Sequence, residues 1–65
     1  MKIVKTEIIK NYITQEKITK TEFCKRCQIG IGTYNKIMKN NTNIRLTVLF
    51  KIARVINIPV FNMFY

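Results

Sequence analysis

The chain is 65 residues long, with twelve lysines and arginines against three acids, Glu7, Glu16 and Glu22, and a net charge of +9 without any His. A chain this short forms one domain, 1–65, and buries only about 60% of the surface its unfolded form exposes, which excludes a large catalytic cleft. Its hydrophobic share of 48% excludes a disordered tail, and its closely spaced polar residues exclude a membrane span of about 20 apolar residues. Met1 to Lys5 opens no apolar signal region, so a cytoplasmic protein is expected. With so few acids to balance it, the charge favours a polyanionic partner and raises the rate of encounter with one.

No linker, repeat or low-complexity stretch interrupts the chain. Val4, Ile8, Ile9, Tyr12 and Ile13 recur at spacings of three and four, with Lys5, Lys10 and Asn11 between them, which predicts a first helix near 3–15. Thr19 and Glu22 form a capping pattern, and Ile18 with Phe23 supplies the hydrophobic staple beside it, so a second helix starts at Lys20. Phe23, Cys24 and Cys27 share its apolar face. Gln28, Ile29 and Gly30 then break the pattern, Gly30 caps the next helix, and Gly32 keeps that helix's first turn slim. Within the third helix Tyr34, Ile37 and Met38 make the apolar side, while Gly32, Asn35, Lys36 and Lys39 lie opposite or beside it. Asn40, Asn41, Thr42 and Asn43 read as the turn that ends it.

The segment RLTVLFKIARVI places Leu46, Leu49, Phe50, Ala53 and Ile56 on one face, and a second stripe, Val48, Ile52 and Val55, makes this fourth helix apolar around most of its circumference. Asn57 suits its C-terminal cap, and Pro59 suits the first turn of a short fifth helix through Tyr65. The expectation is a compact all-α domain of five helices without strands.

ITKTEFCKRCQIGIGTYNKI followed by NIRLTVLFKIARVINIPVFNMF resembles the Cro/C1-type (XRE-like) helix-turn-helix family, the repressor-like DNA-binding domains of phage and bacterial regulators. Thr19, Cys24, Ile29, Ile37, Leu46, Leu49, Lys51, Ile52, Ala53 and Ile56 occupy the family's characteristic places, with the helix-turn-helix at 19–39. Two positions depart from the pattern. Gln28 stands where the family has its turn glycine, and a left-handed backbone there costs about 1 kcal/mol more than with glycine. Tyr34 replaces a small branched residue between the two helices, which implies looser packing or a hydroxyl that reaches a phosphate.

The resemblance implies that residues 31–39 form a recognition helix whose N-terminal part enters the major groove while the second helix crosses the backbone. Asn35 is then placed to bond an adenine edge, Lys36 a guanine or a phosphate, Thr33 either, and Ile31 a thymine methyl, with Gly30 and Gly32 letting the backbone approach closely. Phosphate contacts are expected from Thr19, Lys20 and Lys39 and from Asn40, Asn41, Asn43 and Arg45, with the backbone amides at the start of the fourth helix adding an anion site. Two plainer readings stand beside these: Asn35 and Lys36 on an ordinary solvated face, and the asparagines as a turn only. Lys2, Lys5, Lys10, Lys25, Arg26, Lys51 and Arg54 contribute general field.

Cys24 and Cys27 have the spacing of half a zinc site or a redox pair. Zinc needs four ligands, which are not at hand, and a redox pair follows a strand, which is not expected here. Both thiols are read instead as small hydrophobes facing the third helix, and no metal or cofactor is expected. The apolar ending Phe61, Met63, Phe64 and Tyr65 is either a tail folded back on the core or a partner surface. Repressor-like domains commonly pair about a two-fold axis here, placing two recognition helices about 34 Å apart. Val48, Val55, Phe61, Met63 and Tyr65 are the candidate contacts for a homodimer.

The leading expectation is a sequence-specific regulator of transcription, most simply a repressor, that binds double-stranded DNA in the cytoplasm on the nucleoid. The alternative is a protein-interaction module, such as an antitoxin or adaptor, built on the same fold. An enzyme is not expected, because no His, no Asp and three scattered Glu leave no acid–base pair. No membrane partner and no small-molecule ligand is evident in the sequence.

Overall fold

The computed structural model describes residues 4–40 and 44–65. Four α-helices follow one another, α1 (Thr6–Glu16), α2 (Lys20–Cys27), α3 (Ile31–Met38) and α4 (Leu46–Ile56), and a 3-10 turn (Val60–Met63) closes the chain. The class is all-α, as expected, but the fifth helix is only this turn: Pro59 precedes it, and Phe64 is already extended at φ −117°, ψ 150°.

The first helix starts later than its spacing predicts. Val4 pairs with Phe64 in an isolated antiparallel bridge, and the Lys5 N–H donates to the Met63 carbonyl at 2.7 Å. Pairing with the C-terminus holds the chain extended through Val4, so this residue reaches the core from a strand-like segment.

α2 begins as its sequence indicates, with the Thr19 hydroxyl accepting from the Glu22 N–H at 3.1 Å, which satisfies one of the donors a helix start leaves open. Three helices end on a left-handed residue that is not glycine: Lys17 after α1, Gln28 after α2 and Asn57 after α4, with φ of 54°, 57° and 69°. Each turn is closed by backbone bonds to the helix end. Ile29 N–H reaches the Cys24 carbonyl at 3.0 Å, Ile18 that of Ile13 at 3.2 Å, and Ile58 that of Ala53 at 3.0 Å. The family's turn conformation is therefore kept at Gln28 without its glycine.

Phe23 is the centre of the core, fully buried. The Tyr12 ring meets it edge-on at 5.7 Å, and the Tyr34 ring does so at 6.0 Å, so α1, α2 and α3 converge on one aromatic trio. Tyr34 is itself buried. Its ring fills the space between α2 and α3, contrary to the looser packing expected, and little of it is left for a phosphate. Burial, and secondarily the neighbouring Cys24, push its phenol pKa up.

On α4 the core stripe is Leu49, Ile52 and Ala53, with Val48, Val55 and Ile56 partly buried against it. Leu46 and Phe50, expected in that stripe, are 56% and 52% exposed. They sit one turn apart at the edge of the apolar arc, and among the described residues no element covers that edge. The C-terminal tail divides between its two expected readings: Met63 is fully buried and Phe64 partly so, while Phe61 and Tyr65 face outward.

Candidate nucleic-acid interface

With about 100° per residue, the exposed residues of α3, Ile31, Gly32, Asn35 and Lys36, lie with Lys39 just past its end on one arc of about 140°. Tyr34 and Ile37 occupy the opposite side and are buried. The packing against Phe23 therefore decides which face of α3 turns outward, and that face carries an amide, two ammonium groups and one exposed aliphatic chain. Thr33 lies at the border of the arc, half-buried.

Neither glycine of this segment is required by the fold. Gly30 has φ −80° and ψ 157°, ordinary for a helix N-cap, and a Cβ added at Gly30 or Gly32 would meet nothing within 4 Å. Glycine inside a helix costs about 0.5–1 kcal/mol relative to alanine. At Gly32 nothing inside the protein offsets that cost.

The outward arc of α3 continues onto α4. Thr33 and Lys36 line a cleft of about 150 Å³ together with Ile44, Arg45 and Val48, so the side chain expected to read bases and the arginine expected to hold a phosphate share one site. Arg45 is the N-cap of α4, without a side-chain cap hydrogen bond. Thr19 and Lys20 are exposed at the start of α2, and Lys39 and Asn40 are exposed at the end of α3, where Asn40 turns left-handed at φ 57°. Asn41 and Asn43 lie outside the described residues. A Helix-turn-helix family model matches residues 9–61. The chain belongs to the Cro/C1-type helix-turn-helix family. As a member it is a DNA-binding regulator of transcription, with DNA as its partner, from a family of regulators and not of enzymes. No curated protein and no solved structure matches the chain.

Two of the field cations have specific partners in this helix-turn-helix domain. The Arg26 guanidinium donates to Glu16 Oε1 at 2.9 Å and to the Tyr12 hydroxyl at 3.1 Å, and lies 3.9 Å from Glu22. It thereby ties α1 to α2 and engages two of the three acids. Lys5 lies over the Tyr65 ring, 5.6 Å from its centroid, which occupies it at the opposite end of α1. Lys51 and Arg54 line a second cleft, which nothing in the sequence pattern had marked.

Of the expected dimer contacts, Met63 is removed by its burial, while Phe61 and Tyr65 are exposed and Val48 and Val55 are partly buried against the core. Leu46 and Phe50 were missed as exposed apolar groups; their position at the margin of the stripe was the available signal. Cys24 and Cys27 are free thiols in the core of α2, and among the described residues no group of three metal-ligating side chains is assembled. Among the same residues, no helix is long and apolar enough to cross a membrane.

Proposed function

We propose that the chain is a sequence-specific repressor that binds a two-fold-symmetric DNA site as a homodimer in the cytoplasm. Asn35, Lys36, Thr33 and Ile31 are the readers of base edges, and Thr19, Lys20, Lys39, Asn40, Asn41, Asn43 and Arg45 hold phosphates. The observation that carries this reading is Gly32: an exposed helical glycine that no protein atom crowds is accounted for by a DNA backbone and base edges coming close to α3. The common outward arc of Ile31, Asn35, Lys36 and Lys39 supports the same assignment. Phe61 and Tyr65, with Leu46 and Phe50 added to them, are the apolar groups available for pairing.

Those four side chains also favour the second reading, an interaction module that uses the fold to hold another protein. One experiment separates the two: binding of the chain to a random duplex pool, followed by anisotropy at several salt concentrations and sequencing of what is retained. Enrichment of a short palindrome whose binding persists as salt rises is expected. Weak binding that enriches no sequence and collapses with salt would overturn base reading and leave only electrostatic attraction.

A further inference from the structure

A second cleft, larger than the one beside Lys36, lies between the C-terminal end of α2 and the second half of α4, and the helix-turn-helix assignment does not use it. Arg26, Cys27 and Gln28 form one wall and Lys51, Arg54 and Val55 the other, around a volume of about 270 Å³. Its chemistry is divided. Cys27 and Val55 are buried or partly buried and make an apolar floor, while the exposed Arg26, Gln28, Lys51 and Arg54 supply charge and amide donors at the rim.

No carboxylate lines the cleft. Arg26 is partly neutralised by Glu16 and Glu22, whereas Lys51 and Arg54 have no ion pair among the described residues. Two unpaired cations facing a fixed third one concentrate a field that a doubly charged anion satisfies. The position is also separate from the phosphate-holding positions. Cys27 lies about 10 Å along α2 from Lys20, and Arg54 lies about 13 Å along α4 from Arg45, at 1.5 Å per residue.

We propose that this groove is a binding site for a small phosphorylated anion, a phosphate monoester carried on a short carbon fragment. The guanidinium fork of Arg54, the ammonium of Lys51 and the amide of Gln28 match phosphate oxygens, and the Cys27–Val55 floor meets the carbon fragment. A volume of about 270 Å³ admits a molecule of glycerol phosphate size.

The test is a two-dimensional ¹⁵N NMR titration of the whole chain with glycerol 3-phosphate at constant ionic strength, with glycerol and sodium chloride as controls. Saturable shifts at the amides of residues 26–28 and 51–55 are expected. Lys51→Ala and Arg54→Ala should each weaken binding about tenfold, the size of a lost charged hydrogen bond, and Lys51→Arg should retain it. The unperturbed remainder of each spectrum reports that the variants are folded. Shifts reproduced by sodium chloride alone would mean an adventitious ion only and overturn the proposal, as would shifts confined to α3 and Arg45. A second arm adds a short duplex without glycerol 3-phosphate. If the groove amides then move as strongly, the phosphate is that of DNA and a separate anion site is ruled out. The first arm contains no DNA, so its result is independent of whether the chain reads sequence.

Discussion

The Tyr65 hydroxyl donates a 2.6 Å hydrogen bond to Glu7 Oε1, joining the last residue of the chain to the first turn of α1. Together with the Val4–Phe64 bridge and the Lys5 to Met63 bond, it ties residues 4–7 to residues 63–65. The bond from Tyr65, with the backbone hydrogen bond at Glu7 next in weight, holds the Glu7 carboxyl below its ordinary range, and the same bond raises the Tyr65 phenol. A depressed carboxylate stabilises the fold above its unfolded pKa and loses that contribution as pH falls through the folded value. A raised phenol contributes below its unfolded pKa and loses it as pH rises through the folded one. Tyr65→Phe should therefore lower the melting temperature at neutral pH and have a smaller effect in acid, as Glu7 takes up its proton. Equal losses at neutral and acid pH would remove the Glu7 bond as the cause.

The two thiols should be inert while the chain is folded. Burial, and then the neighbouring Cys24, push the Cys27 thiol to about 11, and burial likewise raises Cys24, although Lys20 opposes it. The neutral form is favoured in the folded state, so this contribution to stability is present below the ordinary thiol pKa and fades as pH rises toward about 11 for Cys27. Reaction with a thiol-specific chromogen at pH 8 should be slow in buffer and fast in denaturant. Fast reaction of either thiol in buffer would contradict its burial.

Lys17 and Gln28 hold left-handed conformations at φ 54° and 57°, which a residue with a Cβ adopts at a cost of about 1 kcal/mol relative to glycine. Lys17→Gly and Gln28→Gly should each stabilise the domain by about that amount, and for a chain of this size 1 kcal/mol moves the melting temperature by about 4–8 °C. The two turns lie at different helix ends, so the gains should add. A drop in melting temperature for either variant would mean that its side chain contributes more than the strain it bears.

Most of the helix-turn-helix was legible from local chemistry. The Thr19 cap, the glycine before α3 and the apolar spacing of Tyr34 and Ile37 are short-range signals, and each corresponds to the observed element. The features that escaped are long-range. Val4 leaves the helical pattern because Phe64, sixty positions away, pairs with it. Leu46 and Phe50 satisfy the period of a core helix, yet spacing cannot tell how wide an arc the neighbouring elements will cover. The groove of Lys51 and Arg54 depends on how α2 lies against α4, which no local pattern encodes.

Gly32→Ala should separate stability from binding. The added methyl meets no protein atom within 4 Å, and alanine is the better helix former, so thermal stability should rise by about 0.5–1 kcal/mol. If DNA comes as close to α3 as proposed, affinity for the selected site should fall in the same variant. Gly30→Ala serves as the contrast, because glycine is the better N-cap of the two and no gain in stability is expected there. Unchanged affinity in Gly32→Ala would remove the observation on which base reading chiefly rests.

The division of labour on the outward face of α3 can be read from two pairs of variants. Asn35→Ala and Lys36→Ala remove groups assigned to base edges, where each bidentate contact discriminates by about 1–3 kcal/mol. They should weaken the selected site by about five- to 150-fold and random duplex much less, so the ratio between the two contracts. Lys39→Ala and Arg45→Ala remove charges assigned to phosphates, and each should weaken both duplexes alike and reduce the slope of log affinity against log salt by about 1. Arg45 shares its cleft with Lys36 and Thr33, so the double variant of Lys36 and Arg45 should depart from additivity, whereas Asn35 with Lys39 should not couple through that cleft. Equal losses on selected and random DNA for Asn35→Ala and Lys36→Ala would reduce α3 to an electrostatic surface. Specificity would then have to come from the shape and deformability of the site, read through phosphate contacts alone.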